Sequence, residues 1–407
     1  MRSWDKVEGG RSGPGGFLAS SIHAGIKRNS TSALDLALIY SEEQQTTAAG
    51  VFTTNRVKAA PVNLSRQHLR ASRGRARAVV VNSGNANACT GAVGAKCASL
   101  IAGETARVFG IRAEHVLVAS TGVIGVQLRP DVVTQQLPTL AGALSPEGFP
   151  AAARAIMTTD TFPKLCALQT TIGSRPVHLL GITKGSGMIH PRMATMLAFI
   201  MTDAAVSAPD LQRMLTTAVN ASFNRITVDG DTSTNDTVIT LASGLSGVAA
   251  RQATPSGSRF LAGLIELCEI LARMIVQDGE GAKKVITIEV RGARTEADAD
   301  RMARTIANSP LVKTAIAGSD PNWGRILCAA GYSGAHFDPA KADIRVNELL
   351  LCRKGVDAGF NEAAARAALG KPEVTLRIDL HQGRATARIW TCDLTHDYIT
   401  INASYRT

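Results

Sequence analysis

Runs of apolar residues, separated by glycine-rich and polar turns, organise most of this chain. Runs of four to nine β-branched and aliphatic residues are typical of buried strands, and strict alternation is typical of a half-buried strand. These patterns predict strands at 78–81, 116–119, 165–172, 177–182, 196–202, 237–241 and, by alternation, 286–290. The fourth follows the third around Gly173-Ser174-Arg175-Pro176, so these two form a predicted hairpin.

Apolar residues at helical spacing predict three helices. One follows the Asn/Gly-rich turn at 82–91, one begins after a capping Ser207, and one covers 261–276. The first would bury Val93, Cys97, Leu100, Ile101 and Val108, and the second Leu211, Met214, Leu215, Ala218 and Val219. Residues 252–258 predict a surface loop. Helices and strands alternate irregularly, with several adjacent strands, which favours α/β or α+β layers over a purely parallel sheet.

Length and composition place the chain among ordinary globular proteins. Its 407 residues suffice for several layers or two domains, and 45% are hydrophobic. No apolar run approaches the roughly 20 residues that span a bilayer, and residues 1–10 lack the apolar centre of a signal peptide. We therefore expect a cytoplasmic protein that does not enter a membrane.

The cysteines and charges add little specific chemistry. Seven cysteines, an odd number without Cys-x-x-Cys, predict reduced core thiols, and no metal site or cofactor is indicated. The net charge of +11 is dispersed; its densest group, Arg70 to Arg77, has no interleaved aromatic residue. This favours a solvated basic face over a nucleic-acid-binding protein, the rival class, and a positive field would attract anionic substrates.

Residues 181–197 carry the strongest candidate chemistry. A glycine-rich turn and Pro191 lead into Ala194-Thr195, after which an apolar run begins. A hydroxyl at this point can attack the preceding carbonyl, and cleavage would leave Thr195 with a free α-amine beside its own hydroxyl. Such an amine, with a pKa of about 8, can act as the base for that nucleophile. From these residues alone, a β-branched residue that merely opens a strand remains the alternative.

Eight segments, in one order along the chain, resemble the ornithine acetyltransferase family. These are the self-cleaving glutamate and ornithine N-acetyltransferases of arginine biosynthesis. The first is the signature Lys-Gly-x-Gly-Met-Ile-x-Pro-x-Met-Ala-Thr-Met-Leu, which this sequence matches at 184–197. The other matching segments are 82–91, 120–125, 157–161, 229–237, 278–282, 318–326 and 402–407.

The resemblance implies a layered α-β-β-α sandwich with a C-terminal lobe. It implies cleavage between Ala194 and Thr195 into fragments 1–194 and 195–407, assembled as a heterotetramer of two copies of each. We expect the strand after Thr195 to pair within a sheet built from both fragments. The implied activity moves acetyl from N²-acetyl-L-ornithine to L-glutamate by a ping-pong route through acetylated Thr195, with acetyl-CoA as a possible second donor. An amidase or aminopeptidase, in which water replaces glutamate, is the alternative.

The resemblance also assigns the site residues. Thr121 and Gly122 would supply a hydroxyl and a closely approached backbone N–H to the oxyanion. Substrate would be bound by Thr158, Lys184, Thr195, Glu280, Asn402 and Thr407. Thr159 is the adjacent alternative to Thr158 if the register differs by one. We expect Lys184, in the loop before the cleavage point, to lower the pKa of the Thr195 amine or hold a substrate carboxylate, and Glu280 to hold an ammonium group.

Two further features are assigned structural roles. His190 lies at a variable position of the signature, where a hydrogen-bonded or surface histidine is expected rather than a base. Asp229, Asp231 and Asp236 are interleaved with Gly, Ser and Thr, which is typical of a turn with side-chain-to-backbone hydrogen bonds. Their spacing does not match a calcium-binding loop.

Overall fold

The computed structural model describes residues 4–7, 13–27, 30–190 and 196–404. Within these ranges the strands fall into three sheets. Their bounds are β1 (Asp5–Lys6), β2 (Phe17–Ile22), β3 (Leu36–Ser41), β4 (Thr47–Phe52), β5 (Ala78–Asn85), β6 (Val116–Val123), β7 (Lys164–Ile172), β8 (Arg175–Lys184), β9 (Leu197–Thr202), β10 (Thr237–Ala242), β11 (Val285–Ala293), β12 (Asp343–Val346), β13 (Leu349–Arg353), β14 (Val356–Asp357), β15 (Glu373–Asp379) and β16 (Ala385–Cys392).

The helices lie mainly on the outer faces of these sheets. Their bounds are α1 (Ala60–Ala71), α2 (Gly91–Phe109), α3 (Pro130–Thr134), α4 (Leu137–Gly142), α5 (Phe149–Ala155), α6 (Ala208–Ala221), α7 (Pro255–Gln277), α8 (Glu296–Ala307), α9 (Pro310–Ala317), α10 (Trp323–Gly331), α11 (Glu362–Leu369) and α12 (His396–Ser404). Short 3₁₀ turns occur at Ala113–His115, Phe223–Arg225 and Pro339–Lys341.

Two sheets face each other across a central core. The first has the order β2-β3-β5-β6 and the second the order β1-β7-β8-β9-β10-β4. Helices α1 and α2 pack on the first sheet, and α6 and α7 pack on the second. This is the predicted α-β-β-α sandwich. The remaining strands form a C-terminal lobe with the order β14-β13-β12-β15-β11-β16, which confirms the second part of the expectation.

Strand β9 is apolar at almost every position because both of its faces are buried. Leu197, Phe199 and Met201 belong to the core between the two sheets, whereas Ala198 and Ile200 belong to the core beneath α6 and α7. A strand buried on both faces reads as a continuous hydrophobic run rather than an alternating one. It pairs antiparallel with β8 and parallel with β10.

The sandwich sheet with the order β1-β7-β8-β9-β10-β4, hereafter called the six-stranded sheet, contains strands from both sides of the Ala194–Thr195 bond. Strands β1, β7, β8 and β4 precede that bond in the chain, and β9 and β10 follow it. Strands β9 and β10 lie between β8 and β4, so each part of the chain completes the sheet of the other. This matches the expectation that the strand after Thr195 joins a sheet made from both fragments.

Three details of the sequence interpretation are wrong. Helix α7 begins at Pro255, inside the predicted loop 252–258, because the Thr254 hydroxyl accepts the Gly257 N–H and caps it. Val93 and Leu100 are exposed on α2, at 61% and 43%, since small residues form most of its buried face. Cys89 and Cys328 are also exposed, whereas the other five cysteines are buried. No helix in the described ranges has the length and apolar character that crossing a membrane requires.

Candidate active site

A cavity of about 110 Å³ opens where β6, β8, the end of α7 and helix α12 meet the segment before β10. Six of the predicted site residues line it, together with Thr159: Thr121, Gly122, Thr158, Lys184, Glu280 and Asn402. The other predicted residues, Ala194, Thr195 and Thr407, lie outside the described residues. Residue Met196, which follows Thr195 directly, is described and buried. The fold therefore gathers residues that are spread over most of the sequence.

Thr121 and Gly122 lie near the end of β6, where this strand approaches β5 closely. Gly122 has a φ of +129°, and a Cβ at this position would lie 2.4 Å from the carbonyl carbon of Gly84. Any side chain here would thus collide with backbone that has no space to move. Gly122 also lines the cavity, so its main chain borders the space in which a ligand would lie, as an oxyanion site requires. The oxyanion role itself stays a prediction.

Lys184 is the last residue of β8 and is 3% exposed, not a loop residue as the sequence suggested. Its Nζ donates a hydrogen bond to Thr158 Oγ1 at 2.7 Å and lies 3.9 Å from Asp160 Oδ2. Burial lowers the pKa of Lys184, and the nearby Asp160 carboxylate partly opposes that shift. Of the two adjacent threonines, Thr158 is therefore the one that contacts the lysine. The contact makes a short polar wall on one side of the cavity.

A second buried lysine completes a network of charges behind this wall. Lys164 Nζ donates to Asp160 Oδ1 at 2.6 Å and to Asp278 Oδ2 at 2.5 Å. Asp160 also accepts the N–H groups of Thr158 and Gly185. Burial would raise the pKa of Asp160, but Lys184, Lys164 and these hydrogen bonds outweigh it and lower the pKa to about 2. Two ammonium groups are thereby balanced by two carboxylates, away from water.

Replacing Asp160 with asparagine should destabilise the protein strongly. The Asp160→Asn variant would leave buried lysine charge uncompensated, which typically costs about 3–5 kcal/mol of unfolding free energy. Because the folded-state pKa is about 2, below the ordinary 3.8, the stabilisation is present above about pH 4 and is lost as the pH falls toward 2. Urea unfolding of both proteins at pH 7 and pH 3 should show the difference between them shrinking in acid.

The control is Asp131→Asn, which removes the acceptor of the exposed pair Arg129–Asp131. Its urea midpoint should match the wild type at both pH values, because exposed pairs contribute little. An Asp160→Asn midpoint equal to that of this control would contradict the role of the buried network.

Glu280 forms the opposite wall of the cavity. Its backbone N–H donates to the Ser186 carbonyl at 3.0 Å, and its Oε2 accepts a hydrogen bond from Asn402 Nδ2 at 2.8 Å. A Cβ on Gly187 would lie 2.3 Å from the same Oε2, so the signature glycine makes room for this carboxylate. Asn402 comes from α12, which brings the end of the chain to the site. Glu280 and Asn402, which were each predicted to bind substrate, thus lie side by side at the cavity.

The two walls give the cavity a definite chemical preference. An ammonium at Lys184 and a carboxylate at Glu280 face a small space that the Thr121-Gly122 backbone also lines. This arrangement suits a small molecule that carries both charges and presents an acyl carbon to Thr121 and Gly122. Within the described residues, no group of three or more His, Cys, Asp or Glu side chains could hold a metal ion.

Several residues at the site were not predicted from the sequence to take part in it. The charge of Lys184 is balanced by a network of ion pairs made by Asp160, Lys164 and Asp278. The cavity is also lined by Tyr398 and Asp229. Asp160 and Asp278 belong to segments that match the family, but nothing in their spacing indicates that they share a lysine. Asn235 attaches the segment before β10 to the β6 side of the site, because its Nδ2 donates to the carbonyls of Ala86 and Ser120 at 2.7 and 2.8 Å.

Comparisons with known proteins place the chain in one family over nearly its whole length. Residues 18–407 match the ArgJ family. The arginine biosynthesis bifunctional protein ArgJ of Symbiobacterium thermophilum is 50% identical over 404 residues, covering 98% of this chain and 99% of that protein. ArgJ 1 of Nostoc sp. PCC 7120 is 46% identical, with 100% of each covered. The solved structure of argJ from Bacillus halodurans is 44% identical, covers 51% of this chain and 98% of that one, and has a TM-score of 0.50.

The sandwich fold and its charged cavity, with the Thr-Gly pair at one end, suit an enzyme that acts on small molecules. The chain belongs to the ArgJ family of arginine biosynthesis. This confirms the family that the eight segments predicted. The family shown is one of arginine biosynthesis and not the nucleic-acid-binding class considered as the rival.

Proposed function

We propose that this protein transfers acetyl from N²-acetyl-L-ornithine to L-glutamate and that Thr195 carries the acetyl group between two half-reactions. The observation that carries the proposal is the cavity itself. It places a buried ammonium, Lys184, and a buried carboxylate, Glu280, beside the Thr121-Gly122 backbone. Donor and acceptor are both amino acids with charged ends, so one cavity with both charges can hold each in turn.

In the first half-reaction, the Thr195 hydroxyl attacks the acetyl carbonyl and its α-amine takes the hydroxyl proton. Thr121 and Gly122 stabilise the tetrahedral oxyanion, which collapses as the amide C–N bond breaks and ornithine leaves with that proton. In the second, the glutamate α-amine attacks the acetyl ester of Thr195. The C–O bond breaks and the hydroxyl is restored, with N-acetylglutamate as product.

The Thr195 amine required by this route is released by cleavage of the Ala194–Thr195 bond. The hydroxyl would attack the Ala194 carbonyl, the acyl group would shift from nitrogen to oxygen, and water would hydrolyse the ester. The length of a solved relative supports this step. The Bacillus halodurans chain is matched over 98% of its length yet covers 51% of this chain, so it is about half as long.

Initial rates and protein mass test the ping-pong route together. Varying N²-acetylornithine at several glutamate concentrations should give parallel lines in double-reciprocal plots, because donor and acceptor occupy one cavity in turn. N²-acetylornithine alone should add one acetyl group to the 195–407 fragment, and later addition of glutamate should remove it. Release of acetate at the same rate without glutamate would instead indicate the amidase alternative. Intersecting lines without an acetylated fragment would mean direct transfer between bound substrates.

Assembly and donor choice extend the proposal. We infer that the two fragments stay together, because the sheet β1-β7-β8-β9-β10-β4 needs strands from both parts of the chain. That sheet accounts for one pair of fragments, and the heterotetramer of two copies of each fragment is what the family resemblance implies. A cytoplasmic location, the lack of a cofactor and the use of acetyl-CoA as a second donor stay predictions.

A further inference from the structure

The segment 229–236 contacts the chain on both sides of the predicted cleavage point. On the first side, Asp229 Oδ2 accepts the Met188 N–H at 2.5 Å and its Oδ1 accepts the Ile189 N–H at 2.9 Å. The Val228 N–H also donates to the Ile189 carbonyl at 2.8 Å. Ile189 is fully buried. Both carboxylate oxygens of Asp229 therefore fix the backbone immediately before residue 190.

The backbone held by Asp229 is in an unfavourable conformation. Met188 has a φ of +56°, in the left-handed region that residues with a side chain rarely adopt. Such a conformation persists where surrounding contacts hold it. The two hydrogen bonds to Asp229 supply that constraint, since they bind the N–H groups of Met188 and of the next residue. This also bears out the interpretation of the acidic run as a turn with side-chain-to-backbone bonds, because Asp229 Oδ1 accepts the Asp231 N–H as well.

On the second side, Asp236 holds the peptide group that joins Thr195 to Met196. Its Oδ1 accepts the Met196 N–H at 3.0 Å, and the Thr237 N–H donates to the Met196 carbonyl at 3.1 Å. Asp236 is fully buried, and its Oδ2 has no hydrogen-bond partner among the described residues. Burial raises the pKa of Asp236 well above its ordinary value. Asp236 thus offers one accepting oxygen to the Met196 N–H.

The two aspartates belong to a segment that is itself attached to the oxyanion side of the site. Asn235, adjacent to Asp236, donates to the carbonyls of Ala86 and Ser120, and Ser120 directly precedes Thr121. The segment 229–236, which contacts the chain on both sides of the cleavage point, is therefore hydrogen-bonded to the strand that carries the predicted oxyanion pair.

We propose that Asp229 and Asp236 are positioning residues that clamp the chain on both sides of residues 190–195 and so orient the Ala194–Thr195 bond for self-cleavage. The inference rests on the cleavage proposed above. Internal attack needs the hydroxyl and the carbonyl carbon in near-contact, and a small displacement of either costs a large factor in rate. Holding both ends of a six-residue segment reduces the conformations in which the two groups are apart.

The same substitution is expected to have different effects at the two aspartates, because they use different numbers of carboxylate oxygens. Asp229 uses both oxygens, so Asp229→Asn would set an amide N–H against a backbone N–H and should slow cleavage at least about 10-fold. Asp236 uses one oxygen, so Asp236→Asn should cleave at the wild-type rate, whereas Asp236→Ala should also be at least about 10-fold slower. A general effect on folding would not give opposite results for the same substitution at the two sites.

Cell-free synthesis with labelled methionine, stopped at intervals and resolved on a denaturing gel, measures conversion of the full chain to its fragments. The matched control is Asp203→Asn, a buried aspartate directly after β9 that accepts the His178 N–H at 2.9 Å and has no hydrogen bond to residues 188–190 or to Met196. It should cleave at the wild-type rate. Thermal unfolding midpoints of all variants, compared in the uncleaved Thr195→Ala background, show how much each substitution destabilises the fold.

The outcomes distinguish a failure of the clamp from a failure of the cleavage on which it rests. A wild-type chain that never cleaves would overturn the cleavage and the clamp together. A wild type that cleaves while Asp229→Asn and Asp236→Ala keep pace would overturn the clamp and leave the proposed function intact. Slowing of Asp203→Asn to the same degree would reduce the effect to general destabilisation and overturn the clamp. Slow cleavage of Asp236→Asn would overturn the acceptor role of Asp236.

Discussion

The Thr195→Ala variant is expected to remain one chain of 407 residues and to lose acetyl transfer by about 10⁴-fold or more. The substitution removes the hydroxyl that would attack both the Ala194 carbonyl and the substrate acetyl group, so processing and turnover should fail together. A denaturing gel and an N-terminal mass measurement report the first, and formation of N-acetylglutamate from N²-acetylornithine reports the second.

Thr195→Ser is the matched control, because it keeps the hydroxyl and changes only the branch at Cβ. It should be cleaved and retain measurable transfer. A Thr195→Ala protein that still separates into two fragments would place the processing site elsewhere. An uncleaved wild-type chain with full activity would remove the need for a released amine at residue 195.

The Thr121→Val variant is expected to lower kcat by about 10²–10³-fold while KM changes little. Valine keeps the β-branched shape of threonine in β6 but has no hydroxyl to donate to the developing oxyanion. An oxyanion donor acts more strongly in the transition state than on the bound substrate, so its loss falls on kcat. Steady-state rates at saturating glutamate and variable N²-acetylornithine separate the two parameters.

Thr240→Val applies the same substitution to a buried threonine of β10 that does not line the cavity. The Thr240 hydroxyl has no hydrogen-bond partner among the described residues, so kcat should be unchanged. If Thr121→Val raised KM and left kcat intact, Thr121 would be a binding residue and the oxyanion would need another donor.

The sequence predicted β5 to β11 but none of β1 to β4 or β12 to β16, for physical reasons. Strands buried on both faces, such as β5, β9 and β10, contain runs rich in apolar residues, which are typical of buried strands. Ser207 was found as a cap because an apolar stripe at helical spacing follows it. The beginning of α7 was missed although Thr254-Pro255 carries a cap and a proline at the first helical position, because Gly257 and two serines indicated a loop.

The site was predicted through family motifs and could not have been assembled from spacing alone. Lys184 and Glu280 are 96 positions apart in the chain and meet because β8 and α7 pack together, which only the fold determines. The ion-pair network behind Lys184 is even harder to predict from the sequence. Lys164 and Asp160 are four residues apart, but Asp278 joins them from the end of α7, 114 positions from Lys164. A lone lysine in a strand gives no sign that it is neutralised by a distant carboxylate.

The order of the six-stranded sheet has a consequence for the life of the molecule after it has been cut. Before the cut, β8, β9 and β10 assemble within one polymer, and a denatured molecule can search for its sheet at a fixed local concentration. After the proposed cut, the middle strands belong to one polypeptide and their neighbours on both sides to another. Recovery from denaturation then becomes a second-order reaction, and its yield falls on dilution. The cleaved enzyme would therefore persist because it unfolds slowly. Once separated, its two fragments would reassemble efficiently only at high concentration.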